Sequence, residues 1–250
     1  MPYDSQEAIY NSFFKELTEA IEVLDANRGE SLSPMGDYVY SGDVNKWIRY
    51  ANSLKLRLAM RVSFVNPKLA KQMAEEAVRG GVIESNDGNA TWKYFSTITN
   101  PLYTAYMYNS SDSKTGGDTH AAADIICYMN GYNDNRREAY FSKSQWEGID
   151  YVGLRRGWEV FDRTWGFNFS GLGLKANDPL IWMNAAEVAF LRAEGAAVHG
   201  FDMGGTAESF YNRGIELSFE QWGAAGAADY MADGASLPAA YNDPSEQNPY

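Results

Sequence analysis

Residues 42–62, GDVNKWIRYANSLKLRLAMRV, carry the pattern on which the fold turns. Trp47, Ala51, Leu54, Leu58 and Val62 recur at helical spacing, and the stripe continues to Val65. Leu56 and Met60 fall on nearly the opposite side, with Ala59 between them. A helix apolar on two sides is packed between two neighbours, so this segment is expected at the centre of a helical fold. Asp43 is placed to cap it and Pro67 to end it. Arginines on such a helix pair with carboxylates of adjacent elements more often than they line a groove, and Arg49, Arg57 and Arg61 are read that way.

On the N-terminal side, about Ser5 to Asn27 reads as an amphipathic helix with Asp4 or Ser5 as its cap. Its expected core stripe is Ile9, Phe13, Leu17, Ala20, Ile21 and Leu24. On the C-terminal side, a short helix from about Pro67 to Val78 stops at Gly80-Gly81. Regular helix resumes near Pro179 with a small-residue face that includes Ala185, Ala186, Ala189 and Ala193, closed by Gly200. A second helix follows Gly204-Gly205, and the pair looks like a tetratricopeptide-type hairpin.

The expected fold is therefore mostly α, one domain over 1–250. Tetratricopeptide-like hairpins at 5–80 and 179–223 support an irregular insert at 85–177, with a short helix expected at about Ala121 to Met129, and 224–250 is a loop tail. The insert holds Trp92, Trp146, Trp158 and Trp165, four of the seven tryptophans, and long irregular segments within a compact domain are usually functional. The ligand surface is expected there. The candidates are Trp92, Tyr94, Tyr106, Tyr108 and Trp165 as stacking rings, with Asn109 and Asp112 as hydrogen-bond partners. Trp47, Trp182 and Trp222 are assigned to core helices.

Composition narrows the function classes. A net charge of −12 without a basic cluster argues against nucleic acid and against direct docking on an anionic bilayer. Cys127 is the sole cysteine and His120 and His199 are far apart, so neither a disulfide nor a structural zinc site is expected. Asn86-Asp87-Gly88-Asn89 is a turn signal without the spaced carboxylates of an EF-hand. No metal or other cofactor is expected, although the sequence leaves open whether calcium orders a loop. No apolar run reaches the ~18 residues of a membrane span.

Several strings together resemble the SusD/RagB family of nutrient-binding outer-membrane lipoproteins. They are Tyr3-Asp4-Ser5-Gln6-Glu7 with Ile9-Tyr10, then Gly42-Asp43 through Lys46-Trp47 to Ala51–Arg61. Asp134-Asn135-Arg136-Arg137 with Tyr140-Phe141 is similar to the family's Asp-Pro-Arg phrase, with Asn135 in the proline position. Ala186-Glu187-Val188, Phe190-Leu191, Ala193-Glu194, Tyr211-Asn212 and Gly214-Ile215 follow in family order. The resemblance implies a non-catalytic, lipid-anchored protein at the cell surface. Such a protein captures an oligosaccharide, or in some branches a peptide, for a SusC-like TonB-dependent transporter.

Relative to that family the chain has no signal peptide, no lipid-anchored cysteine and no helices before Tyr3, and it stops before the closing helices. It reads as an internal fragment, with anchoring and transporter docking expected of the parent. Two other readings compete. A helical interaction scaffold would consist mostly of regular repeats, unlike the insert here. A glycosidase would need two carboxyl groups roughly 5–10 Å apart, and no motif fixes such a pair among Glu138, Glu147, Asp150, Glu159 and Asp162.

Overall fold

The computed structural model describes residues 3–94, 98–107, 119–158 and 163–232, and these are mostly helical. In chain order the helices are α1 (Gln6–Ala26), α2 (Val44–Val62), α3 (Pro67–Gly80), α4 (Pro101–Met107) and α5 (Ala123–Gly131). They continue with α6 (Arg137–Tyr140), α7 (Arg163–Gly166), α8 (Ala185–His199), α9 (Ala207–Gln221) and α10 (Ala227–Ala232). Strand β1 (Ala90–Trp92) pairs with β2 (Leu180–Met183). The described residues divide into two compact units, one of 3–92 with 181–218 and one of 93–180 with 219–232.

In the first unit the helix starts follow from single side chains. Ser5 accepts from the Ala8 N–H, Asp43 from Asn45 and Lys46, Asn66 from Leu69, and Asn184 from Glu187, each satisfying donors that the first turn leaves unpaired. Helix α2 packs against α1, α3 and α8, as its two apolar sides require. The face of Ile48, Leu56, Ala59 and Met60 is the buried one, whereas Leu54, Leu58 and Val62 are half-buried and Val65 is exposed. Each fully buried aliphatic side chain stabilises the fold by about 1.5–3 kcal/mol.

Polar groups lock the same helices together. The Arg57 guanidinium grips the Glu187 carboxylate through Nε and Nη2, both at 2.6 Å, and Nη2 also donates to the Trp182 carbonyl. This fork ties α2 to α8, as expected of an arginine on a central helix. Lys55, buried on α2, donates to Thr18 Oγ1 of α1 at 3.0 Å and to Glu76 of α3. Before α2, the Asp37 carboxylate organises a loop, accepting from the N–H groups of Val39, Tyr40 and Gly42 and from Trp47 Nε1 at 2.8 Å.

Helix α1 departs from the expected stripe. Phe14 is its buried residue, with Tyr10, Leu17, Thr18 and Ile21 half-buried beside it, whereas Ile9, Phe13 and Ala20 are exposed. The apolar arc of α1 is broader than its contact with α2, so one edge of the arc stays open.

The second unit is built on short helices and backbone bridges. Its small core is Ala121, Ile126, Met129, Phe141 and Tyr151. Ala122 bridges Leu154 and Phe141 bridges Leu172, and these single ladder pairs satisfy backbone groups where no sheet forms. Buried Asp134 receives Nε and Nη2 of Arg136, whose guanidinium lies 4.6 Å from the Phe219 ring centroid and 5.3 Å from that of Tyr230. The Asp-Asn-Arg phrase therefore acts as a clamp on the last turns of α9 and on α10. Helix α5 lies where the short helix was expected, and two expectations change: the 85–177 segment also contains helices α4, α6 and α7, and 224–232 includes helix α10 rather than loop alone.

Candidate ligand-binding surface

Rings gather in each unit. In the first, Trp92 on β1 lies 5.1 Å from Tyr38 and 5.7 Å from Trp182, and Tyr50 joins Trp182 to Trp47. All five rings are half-buried, and Trp92, Trp182, Tyr50 and Trp47 pack against the main core. Trp182 thus sits on a strand rather than a core helix, and Trp222 follows α9, partly exposed, with its ring 4.8 Å from Tyr140.

The second unit holds a tryptophan cluster of different character. Trp165 of α7 is central: Trp146 meets it at 6.2 Å and 90°, Trp158 at 5.3 Å and 68°, and Phe169 at 5.0 Å. Two tight turns present the outer pair. Trp146-Glu147-Gly148-Ile149 closes through Ile149 N–H to the Trp146 carbonyl, and Arg155-Arg156-Gly157-Trp158 through Trp158 N–H to the Arg155 carbonyl, each at 3.3 Å. The third residue of each turn has positive φ, +77° at Gly148 and +76° at Gly157, a conformation that glycine takes without steric cost.

Edge-to-face packing holds such rings by one edge and leaves ring surface free. Trp158 is 54% exposed and Trp146 39%, with Ile149 exposed beside them. Polar side chains rim the cluster: exposed Glu147 and Arg155 lie on the same turns, Arg156 pairs with Asp124 at 2.8 Å, and Lys143 with Asp150 at 2.9 Å. An apolar platform with donors and acceptors at its edge is suited to a ligand that has an apolar face and a polar rim, as a sugar ring does.

The sequence-derived candidates are dispersed. Trp165 is the hub of the tryptophan cluster, and Trp92 belongs to the ring row of the first unit. Tyr94 is half-buried. Tyr106 is buried, and its hydroxyl accepts from the Leu172 N–H at 2.9 Å; burial pushes its phenol pKa up. Its ring therefore braces the interior of the second unit. Tyr108, Asn109 and Asp112 lie outside the described residues, as do Glu159 and Asp162. Sequence reading passed over Trp146 and Trp158, although the Gly beside each ring is a turn signal that could have marked them. Among the described residues no group of three or more His, Cys, Asp or Glu is disposed to hold a metal ion, and no helix is long and apolar enough to cross a membrane.

Comparison with known proteins agrees with this architecture. The model of a family described as SusD-like, Susd and RagB outer membrane lipoprotein, matches residues 1–250. Among curated proteins none matches. A SusD homologue from Bacteroides uniformis is 58% identical, with a TM-score of 0.91 over 100% of this chain and 51% of its own. One from Bacteroides thetaiotaomicron is 41% identical, with a TM-score of 0.84 over 92% of this chain and 48% of its own. A chitin-binding SusD homologue from Flavobacterium johnsoniae is 40% identical, with a TM-score of 0.83 over 97% of this chain and 50% of its own. The chain spans about half the length of these solved structures. A whole-length family match and this degree of identity leave one conclusion: the chain belongs to the SusD-like family of outer-membrane lipoproteins.

Proposed function

We propose that this protein captures a glycan at the outer-membrane surface, without chemical conversion, and passes it to a SusC-like TonB-dependent transporter. The observation that carries the reading is the tryptophan cluster, in which Trp158 and Trp146 offer open ring surface on rigid turns against Trp165. Membership of an outer-membrane lipoprotein family supports the location, and the chitin-binding relative supports a glycan as the ligand class. The role is binding rather than turnover. Near the cluster, Asp124 and Asp150 are each engaged with a cation, an arrangement suited to orienting a ligand.

Of the sequence-derived candidates, Trp165 is assigned to this platform. Titration of intrinsic tryptophan fluorescence with matched oligosaccharides, chito-oligosaccharides included, and with oligopeptides tests the proposal. A saturable response to glycans is expected, weakened at least about tenfold, or about 1.4 kcal/mol, by Trp158→Ala. A response to peptides alone, or an unchanged affinity in Trp158→Ala and Trp146→Ala, would overturn it.

A further inference from the structure

The two turns that present Trp146 and Trp158 differ in charge. The turn at 155–158 opens on Arg155, whereas the turn at 146–149 carries Glu147. A four-residue turn brings its end Cα atoms within about 7 Å of each other, so Arg155 stands beside Trp158. That ring is the most open of the cluster, at 54% exposure. Gly157 lies between them, and a Cβ added there would meet nothing within 4 Å. Nothing else among the described residues therefore covers this side of the turn.

Two other cations near the cluster are already paired, Arg156 with Asp124 at 2.8 Å and Lys143 with Asp150 at 2.9 Å. Arg155 is not. It is exposed, and among the described residues its guanidinium makes no ion pair, hydrogen bond or ring contact. In a chain with 33 acidic and 21 basic residues, a guanidinium without a carboxylate is open to one from outside. Its planar fork of donors suits carboxylate and sulfate, which accept two parallel hydrogen bonds from it. A sugar lying with its apolar face on an indole carries its substituents around the edge of the ring, level with side chains at the rim. An acidic substituent on a sugar stacked on Trp158 is thereby brought to Arg155.

We propose that the tryptophan platform takes an acidic glycan, and that Arg155 selects it by gripping a carboxylate or sulfate on the sugar stacked on Trp158. Glu147, on the other turn, disfavours an anion beside Trp146 and so sets which way round the glycan lies. The inference rests on the glycan reading above and adds the charge of the ligand to it.

The test is titration of tryptophan fluorescence with short β-linked oligomers of N-acetylglucosamine, glucose and galactose. Each is supplied neutral, carboxylated at C6 and sulfated at C6, so that only the charge changes within a backbone. On at least one backbone a charged form is expected to bind saturably and at least about tenfold tighter than the neutral form. The tighter of the two charged forms identifies the anion. Arg155→Gln should bring the charged forms down to the neutral level without moving the unfolding midpoint, and Arg155→Lys should keep part of the preference, having the charge without the fork. Raising salt from about 0.1 M to about 1 M, which shortens the screening length from about 10 Å to about 3 Å, should shrink the preference. Equal binding of neutral and charged forms on every backbone would overturn the proposal, as would a preference that survives Arg155→Gln or grows with salt. Each of these leaves the glycan reading in place, whereas silence to all forms, the neutral ones included, would remove both.

Discussion

The buried lysine of α2 makes a prediction whose sign depends on which end of an ion pair is removed. Lys55 is almost wholly inaccessible, and among the described residues its ammonium reaches Thr18 of α1 and Glu76 of α3. The Glu76 side chain, by contrast, is 43% exposed. Glu76→Gln keeps the shape of the acceptor but leaves a buried cation without its counter-charge. Breaking a buried pair in this way typically costs 3–5 kcal/mol. Because water reaches Glu76, part of that is recovered, and the expected loss is about 2–3 kcal/mol.

Lys55→Met removes the cation and keeps the apolar stem packed. It strands nothing: Glu76 hydrates, and Thr18 Oγ1 still donates to the Phe14 carbonyl at 2.8 Å. Replacing a buried ion by an apolar side chain of similar volume is often neutral or stabilising, so the expected cost is below about 1 kcal/mol. The double variant should track Lys55→Met, because without the ammonium Glu76 has nothing to compensate. Urea unfolding followed by circular dichroism at constant m value reads these differences, and in a thermal scan each kcal/mol moves the midpoint by about 2–4 °C for a chain of this size. The reasoning is refuted if Lys55→Met costs as much as Glu76→Gln, or if the double variant is the least stable of the three.

Two further changes probe other parts of the first unit. Burial pushes the Asp37 carboxyl up, but the N–H of Gly42, the Trp47 indole and the N–H groups of Tyr40 and Val39 outweigh it and hold the pKa below the ordinary aspartate value. A depressed folded pKa contributes stability that is present above the unfolded value and lost as pH falls through the folded one. Unfolding free energy measured below about pH 4 should therefore drop more steeply in the wild type than in Asp37→Asn, which should already be about 2–4 kcal/mol less stable at pH 7; parallel pH profiles would contradict this. At Gly80 an added Cβ would stand 2.8 Å from both amide atoms of Asn52, which is itself buried between α2 and α3. Gly80→Ala should destabilise by about 1–3 kcal/mol despite its better helix propensity, and Asn52→Ala in the same chain should recover part of the loss; a stabilised single variant would remove the steric argument.

What was legible in the sequence was what is decided within a few residues. The caps of Ser5 and Asp43, the stop at Gly80-Gly81 and the central position of α2 follow from periodicity and from hydrogen bonds between residues two to four apart. The family resemblance was readable for a related reason, since its phrases sit where local chemistry is constrained. Asp43 caps a helix, Arg57 reaches Glu187 within another phrase of the series, and Asp134 holds Arg136 two residues on.

The tertiary structure decided what depends on distant residues meeting. Periodicity drew the apolar arc of α1, but only packing against α2 chose Phe14 over Phe13 as its buried ring. Tyr106 was expected as a stacking ring because it lies in the insert among closely spaced tyrosines, yet its hydroxyl accepts from the Leu172 N–H in the interior. The cluster of Trp146, Trp158 and Trp165 joins positions up to nineteen residues apart through two glycine turns and a four-residue helix. No helical or strand period spans such a path. Edge-to-face ring contacts depend on where the backbone bends, and a linear sequence records the residues able to bend without recording where the bends bring the rings.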